Sequence, residues 1–378
     1  MTTSTLAPTC VEWFCSDQLP LRKGHGFANS DVHTELLCPQ TGWPPARSPS
    51  LSHVSLGLIV PRPKGGPGHL MALRLGVVFP QNETSDGVLA VDEYLGAVQA
   101  LSYDHLLAAD HVVGVDRSIR PDWQGPYCSD DLFHEPLTLF AYLAAKTSLD
   151  LMSSILILPQ RQTVLVAKQA AQVDLFCGGK LRLGVGIGWN AVEYEALSKE
   201  FSTRGLRFDE QIDLLRRLWT EPAVHFEGSH EVVLDAGILP LPVQRPIPIW
   251  IAAGLDPRAL QRVGRLADGF IPRWLPDRRQ RGVGDGALSV DMSVASDALG
   301  VIRASAETAG RDPEAIGIQG RLPIAGRDDD WILELATGFS EIGATWLAVD
   351  TMGAGLRWPD GHLAALRRMA ELLEGHLD

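Results

Sequence analysis

Three glycines at alternate positions, Gly184, Gly186 and Gly188, end an apolar stretch and are followed directly by Trp189. Glycine has no Cβ, so a peptide there can lie against a flat ring or a phosphate that a side chain would push away. The spacing G-x-G-x-G differs from the G-x-G-x-x-G of a dinucleotide fingerprint, and taken alone it is typical of a tight strand-to-helix turn. A strand that ends in glycines nevertheless indicates a place where a ligand can approach the backbone.

An acid and a histidine, Asp110 and His111, end the apolar pattern of a second predicted strand. Polar residues where a barrel strand meets its loop are often functional, and imidazole changes charge near neutral pH. His111 is therefore a candidate catalytic residue that gives or takes a proton. The alternative is a solvated loop pair or a helix cap.

Two hydroxyl side chains, Ser153 and Ser154, interrupt the apolar pattern of a third predicted strand. In the centre of a barrel this interruption places both hydroxyls near a pocket. The alternative interpretation is a pair of small residues that satisfy backbone groups in a tight place. The pair is thus a candidate for ligand contact on the strand next to that of Asp110.

A glycine, Gly254, stands just before Asp256-Pro257, a pair typical of a helix start. The free N–H groups and the dipole at the start of a helix suit a phosphate group. A plain strand-to-helix turn fits the same residues equally well. The sequence therefore leaves both interpretations of Gly254 open.

Strand and helix patterns alternate from Met71 to the end of the chain. The predicted strands cover residues 73–79, 105–110, 149–158, 180–186, 247–253, 269–272, 315–322 and 344–350. Helical periodicity lies between them, and residues 223–246 add a predicted hairpin over one mouth of the fold. Eight such units predict an α/β protein with a (β/α)8 TIM barrel, whose loops after the strands build the working face. A doubly wound sheet is the competing architecture.

The composition excludes several classes of function. The chain has 378 residues, of which 45% are hydrophobic, and its net charge of −13 argues against a nucleic-acid partner. The apolar run near the N-terminus is far shorter than the ~20 residues of a membrane span, and no signal peptide is evident. Five cysteines without C-x-x-C or zinc spacing predict reduced thiols, no metal site and a cytoplasmic location.

Residues 1–70 differ in character from the remainder of the chain. They hold nine of the 25 prolines and little apolar periodicity. Such a segment cannot bury enough surface to offset its ordering entropy, so it predicts a disordered extension. Met71 is a candidate alternative start of the native protein, and residues 71–378 form the predicted barrel domain.

Five motifs in order resemble the bacterial luciferase-like superfamily of flavin and deazaflavin enzymes. They are L-A-A-D-H-V-V (107–113), S-S-I-L-I-L-P-Q-R (153–161), L-G-V-G-I-G-W-N (183–190), R-G-L-R-F-D-E (204–210), and P-I-P-I-W-I-A-A-G (246–254) with R-L-A-D-G-F-I-P (265–272). The chain looks most similar to the actinobacterial branch that uses coenzyme F420, an 8-hydroxy-5-deazaflavin. The resemblance covers Met71 to the C-terminus and leaves residues 1–70 without a counterpart.

This resemblance implies a luciferase-like barrel, usually a homodimer, that holds a flavin or deazaflavin ring at the C-terminal ends of its strands. It implies a cis peptide bond between Ser154 and Ile155 and a cofactor phosphate at Gly254, with His111 as the catalytic residue. The implied cofactor-binding residues are Asp110, Ser153, Ser154, Ile155, Gly186, Gly188, Trp189, Gly254 and Ile271.

The implied function is an F420-dependent oxidoreductase that moves a hydride to or from a small organic substrate. The alternatives are an FMN-dependent monooxygenase on the same fold and a non-catalytic flavin-binding barrel. In the sugar-phosphate dehydrogenase branch an acid and an asparagine follow the fourth strand, where this chain has Trp189 and Val192. This departure argues against a sugar-phosphate substrate. The loops at 112–133 and 223–246 and the segment after Pro272 are expected to select the substrate.

Overall fold

The computed structural model describes residues 73–84, 87–273, 277–278, 289–290 and 292–374. The predicted extension, residues 1–70, lies outside these residues, so its disorder stays a prediction. Within the described part of the chain, no helix is long and apolar enough to cross a membrane.

Eight parallel strands form the centre of the fold. They are β1 (Arg74–Val78), β2 (His105–Ala108), β3 (Asp150–Ser153), β4 (Leu181–Gly186), β5 (Ile249–Ala253), β6 (Gly269–Pro272), β7 (Gly317–Pro323) and β8 (Trp346–Asp350). Each strand pairs with the next one along the chain, and β8 pairs with β1, for example Val77 with Val349. The sheet therefore closes, and the predicted TIM barrel is confirmed over the doubly wound alternative.

Helices surround the barrel and follow the strands in turn. They are α1 (Val88–Ala100), α2 (Pro136–Ala144), α3 (Thr163–Phe176), α4 (Ala191–Ala196), α5 (Arg204–Thr220), α6 (Pro257–Leu266), α7 (Ser293–Thr308), α8 (Asp329–Glu341) and α9 (Asp360–Glu374). The predicted apolar stripe of α5, which includes Phe208, Ile212 and Trp219, is fully buried. The helical period thus places the apolar side chains of α5 against the barrel.

Two predicted strands differ from the observed ones at the end that builds the cavity. Strand β2 ends at Ala108, so Asp110 and His111 lie in the loop that follows it. Strand β3 ends at Ser153, and pairing resumes only at Leu156–Ile157, which lies beside β4. The cis peptide bond between Ser154 and Ile155 separates the two pieces. It is the bond that the resemblance implied.

The predicted hairpin is present as two antiparallel strands, Val224–Glu227 and Val232–Ala236. It lies against α5, where the Glu210 carboxylate accepts hydrogen bonds from the backbone N–H groups of Ser229 and His230 at 3.0 and 2.8 Å. No residue of 223–246, all of which are described, lines the central cavity. The hairpin therefore packs on the side of the barrel, and the prediction that it covers the mouth is wrong for this cavity.

Large side chains fill the interior at the N-terminal end of the barrel. The guanidinium of Arg182 on β4 lies 3.5 Å from the ring centre of Trp346 and 5.0 Å from that of Trp250. Its Nη1 donates to the Gln319 side chain at 3.2 Å, and His105 is fully buried nearby. These side chains close the lower end of the barrel.

Glycines on the neighbouring strands make room for these rings. A Cβ at Gly269 on β6 would stand 2.1 Å from the Trp250 ring, and one at Gly76 on β1 would stand 2.4 Å from the His105 ring. Side chains of neighbouring strands share the interior of a closed barrel in layers. Large rings on β2 and β5 are therefore accommodated by the absence of side chains on the adjacent strands β1 and β6.

Candidate functional site

A cavity of about 360 Å³ opens at the C-terminal ends of the strands. Eight of the residues predicted from the sequence line it: Asp110, His111, Ser154, Ile155, Gly186, Gly188, Trp189 and Gly254. They come from the ends of β2, β3, β4 and β5, which adjoin one another in the barrel. The closed parallel sheet thus brings residues that are distant in sequence around one space.

Two further predicted residues, Ser153 and Ile271, lie beneath the cavity. The Ser153 hydroxyl donates to the Gly184 carbonyl at 2.7 Å and is fully buried. Ile271 packs in an apolar layer with Val78 and Met152 inside the barrel. Both side chains support the cavity from below and do not line it.

The glycines of β4 allow its close packing against the end of β3. A Cβ at Gly184 would stand 1.8 Å from the Ser153 carbonyl oxygen, and one at Gly186 would stand 2.7 Å from the Ile155 side chain. Gly188 has a φ of +66°, a left-handed conformation that favours glycine. Gly184 and Gly188 are therefore required for the chain path, whereas a side chain at Gly186 would have to displace the tip of Ile155.

Gly254 differs from the glycines of β4. A Cβ at this position would meet no protein atom within 4 Å. Asp256 then begins α6, and its carboxylate accepts a hydrogen bond from the Ala259 N–H at 3.0 Å. Gly254 thus leaves open space on the cavity wall close to the start of a ten-residue helix.

The Asp110 carboxylate is buried and fully engaged with the protein. It accepts hydrogen bonds from the Ile157 N–H at 2.9 Å and from the Arg161 guanidinium at 2.7 Å. Burial raises the pKa of Asp110, and the charge of Arg161 acts in the opposite direction. Because its oxygens hold the chain just past the cis peptide, Asp110 shapes the cavity wall as well as lining it.

A buried carboxylate from α4 contacts His111. Nδ1 of His111 lies 3.1 Å from Glu193 Oε2, and the other oxygen of Glu193 accepts from the Val112 N–H at 2.7 Å. Three aromatic rings, of Tyr127, Phe133 and Trp189, surround the imidazole with centroid separations of 4.8 to 5.8 Å. The orientation of the imidazole is therefore fixed by one acid and three rings.

Two arginines line the opposite wall of the cavity. Arg273 follows β6, and Arg321 lies on β7, where its guanidinium donates to the buried carboxylate of Asp350. The second oxygen of Asp350 accepts from the Met352 N–H at 3.0 Å. The cavity therefore has the Asp110 carboxylate on the side of β2 to β4 and two guanidinium groups on the side of β6 and β7.

Several residues of this site were not predicted from the sequence. They are Tyr127, Arg161, Glu193, Arg273, Arg321 and Asp350, with Glu135, whose carboxylate accepts from the Arg161 guanidinium at 2.8 Å. A signal existed for Glu193, which stands three residues after Asn190, the residue that caps α4 through its side chain. Asparagine followed three residues later by glutamate is typical of a capping box at the start of a helix. This spacing predicts a local role for the Glu193 carboxylate and does not indicate its contact with the distant His111.

The fold and the cavity define a TIM-barrel protein with an open cavity at the C-terminal ends of its strands, the end where such barrels place their active sites. Residues 78–367 match the profile of the luciferase-like monooxygenase family. The chain belongs to that family.

The relatives with assigned activities include a dehydrogenase and a monooxygenase. An uncharacterized protein of Mycobacterium tuberculosis is 36% identical over 181 residues, which are 46% of this chain and 62% of that protein. An F420-dependent glucose-6-phosphate dehydrogenase of Kribbella flavida is 29% identical over 210 residues, 53% of this chain and 57% of that enzyme. An FMNH2-dependent dimethylsulfone monooxygenase of Pseudomonas putida is 32% identical over 142 residues, 36% and 39% of the two chains. The chain thus spans less than two thirds of each of these relatives.

Solved structures share the fold. One is an F420-dependent secondary alcohol dehydrogenase in complex with an F420–acetone adduct, with a TM-score of 0.62 and 14% sequence identity. The match covers 82% of this chain and 100% of the dehydrogenase chain. A monooxygenase of Streptomyces bottropensis has a TM-score of 0.61 and 18% identity, with 81% and 98% of the two chains covered. At these identities the likeness confirms the barrel. Membership of the luciferase-like monooxygenase family, together with the named activities of the sequence relatives, confirms the prediction of an enzyme. Of these relatives, the dehydrogenase depends on F420 and the dimethylsulfone monooxygenase on FMNH2.

Proposed function

We propose that this protein binds coenzyme F420 in the cavity and transfers a hydride between the deazaflavin and a small organic substrate. The observation that carries the proposal is the convergence of His111, the Ser154–Ile155 segment and the open wall at Gly254 on one cavity. F420-dependent relatives in sequence and in structure support the choice of cofactor.

The residues that line the cavity fit a flat ring with an anionic tail. Apolar side chains, including Val78, Ile155 and Met352, offer surface for a ring face. Gly254 leaves unfilled space before the start of α6, where N–H groups and the helix dipole favour a phosphate. We therefore propose that Gly254 and the start of α6 hold the cofactor phosphate, and that Ser154, Ile155, Gly186, Gly188 and Trp189 contact the ring.

The proposed role of His111 is to move a proton at the substrate. A bound deazaflavin would supply or accept the hydride. Reduction of a carbonyl then requires a proton donor beside the receiving oxygen, and the reverse reaction requires an acceptor. His111 lines the cavity and is held by Glu193, so it can perform either task. Asp110 is proposed to hold the cavity wall that the cofactor meets.

A second candidate is an FMN-dependent monooxygenase, which the relative from Pseudomonas putida favours. In that reaction reduced flavin reacts with oxygen, whereas a 5-deazaflavin, which has carbon in place of the ring nitrogen at position 5, transfers a hydride. The two functions therefore differ first in the cofactor that binds.

Titration of the purified protein with F420 and with FMN, followed by fluorescence quenching, tests the proposal. We expect tighter binding of F420. Micromolar or better binding of FMN without measurable binding of F420 would transfer the assignment to the monooxygenase. Binding of a cofactor without turnover of any tested alcohol, aldehyde or activated alkene would favour the non-catalytic barrel.

A homodimer and a cytoplasmic location remain proposals drawn from the resemblance and the sequence. Light scattering of the purified protein tests the first, and fractionation of the source cells tests the second. A monomer at micromolar concentration would contradict the dimer.

A further inference from the structure

We propose that Glu193 is a positioning residue that fixes the tautomer of His111, so that Nε2 is the ring nitrogen that acts in the cavity. This inference rests on the proposed role of His111. None of the resemblances above assigns a role to Glu193.

The contact geometry supports this role. Glu193 is completely buried, and each of its carboxylate oxygens has a separate partner: the Val112 N–H at 2.7 Å and His111 Nδ1 at 3.1 Å. Asn190 caps α4 by accepting from the Val192 N–H at 3.0 Å, which fixes the backbone that carries Glu193. The carboxylate is thus held in place from two sides.

The chemistry of the groups then decides the proton positions. An ionised carboxylate only accepts hydrogen bonds, so Nδ1 of His111 must donate to Glu193. In the neutral imidazole the proton is therefore on Nδ1, and Nε2 carries a lone pair. A carboxylate that orients the histidine in this way also stabilises the imidazolium that forms when Nε2 takes a proton.

The other groups around the imidazole do not compete for this proton. Tyr127, Phe133 and Trp189 contact the ring through their aromatic faces and edges. The neighbouring carboxylate of Asp110 is bonded to Arg161 and to the Ile157 N–H. Among the described residues, Glu193 is thus the carboxylate that contacts the imidazole of His111 and can determine which ring nitrogen carries the proton.

Replacement of Glu193 by glutamine tests the assignment. The Val112 N–H needs an oxygen acceptor, so the carbonyl of the introduced amide should stay there and turn its NH2 group toward His111. An NH2 group only donates, and Nδ1 must then accept. We expect the neutral ring to carry its proton on Nδ1 in the unmodified protein and on Nε2 in Glu193→Gln.

Nitrogen-15 NMR of protein labelled at histidine reads the tautomer directly, at a pH where the ring is neutral. The signals of His111 among the 11 histidines are identified by their loss in His111→Ala. Glu195→Gln, an exposed position on the same short helix, is the matched control and should leave the tautomer unchanged. Glu193→Asp keeps an acceptor carboxylate and should retain or partly restore the proton on Nδ1.

Turnover provides the second readout. With the wrong nitrogen protonated, Glu193→Gln should lose up to the ~10²–10⁴-fold contribution typical of a general acid or base, while F420 binds as before. A proton on Nε2 in the unmodified protein, or the same tautomer in both proteins, would overturn the assignment to Glu193. If the tautomer switches but His111→Ala keeps full turnover, the proposed role of His111 fails and the positioning by Glu193 stands.

Discussion

At the N-terminal end of the barrel two tryptophans and an arginine fill the interior, whereas at the C-terminal end the strands surround a cavity of about 360 Å³. Both ends contain titratable side chains, but these side chains lie in different surroundings. Burial and the charge of Arg182 hold the pKa of His105 well below its usual value. Burial lowers the pKa of Arg182 itself to about 9. At the closed end, the titratable side chains His105 and Arg182 are buried among aromatic rings and do not line the cavity of the open end.

At the open end the buried acids Glu193 and Asp350 are each hydrogen-bonded to a basic side chain, and that basic side chain also lines the cavity. His111 is bonded to Glu193, and Arg321 is bonded to Asp350. The difference shows that a buried titratable group by itself does not distinguish the cavity from the packed end of this barrel. A titratable group that is both held by a partner and open to a cavity is the more informative sign.

The largest effect should come from His111→Ala at the open end. Loss of a general acid or base typically lowers turnover by ~10²–10⁴-fold. We expect a loss in that range in steady-state assays with F420, expressed per folded molecule, with cofactor affinity nearly unchanged. His225→Ala, on the exposed hairpin, is the control. Full turnover of His111→Ala would mean that water or the substrate supplies the proton.

Gly269→Ala should have the next largest effect, at the closed end. Its Cβ would stand 2.1 Å from the ring of Trp250, which is buried and cannot move freely. Overpacking of this kind typically costs about 1–3 kcal/mol. Denaturant unfolding should show this loss, while turnover per folded molecule stays close to that of the unmodified protein. A stable Gly269→Ala protein would show that the closed end is loosely packed.

Burial of His105 in its neutral form should make the free energy of unfolding depend on pH. Its pKa is lowered in the folded protein, so the unfolded chain binds a proton first as the pH falls below about 6.5. This contribution to stability is complete above that pH and decreases by about 1.4 kcal/mol per pH unit below it. His105→Asn should flatten the decrease between pH 6.5 and 5, measured by urea unfolding. An unchanged slope would show that other groups cause it.

Gly254→Ala should have the smallest effect on stability. The added methyl meets no protein atom within 4 Å, and loss of backbone entropy in the unfolded chain favours the variant by at most about 1 kcal/mol. We expect an unfolding free energy equal to or slightly above the original, together with weaker F420 binding. The contrast with Gly269→Ala tests whether the two ends differ as described. Equal destabilisation by both substitutions would contradict it.

The sequence predicts the barrel well because its strands are fully buried. Runs such as Ile249–Ala253 are apolar throughout, as expected for parallel strands covered on both faces. The strand ends were less predictable. The break in β3 after Ser153 coincides with the cis peptide bond, which only the resemblance indicated.

The candidate site was predicted where a strand end identifies it and missed where a distant contact does. Asp110 and His111 were predicted from their position after a strand. The partners Glu193 and Arg161 lie 82 and 51 residues further along the chain, and no local pattern shows which acid or base reaches them. The hairpin was predicted as an element, but its packing against Glu210 depends on three-dimensional contacts that its own sequence does not specify.

Arg161 has a consequence for how this protein can diverge. It bonds the carboxylates of Asp110 and of Glu135, and Glu135 also caps α2 at the Thr138 N–H. Loss of one partner from a buried ion pair typically costs about 3–5 kcal/mol, because it leaves the other charge uncompensated. A single replacement of Asp110 or Arg161 should therefore be selected against. We expect the residue types at the two positions to covary among homologous sequences.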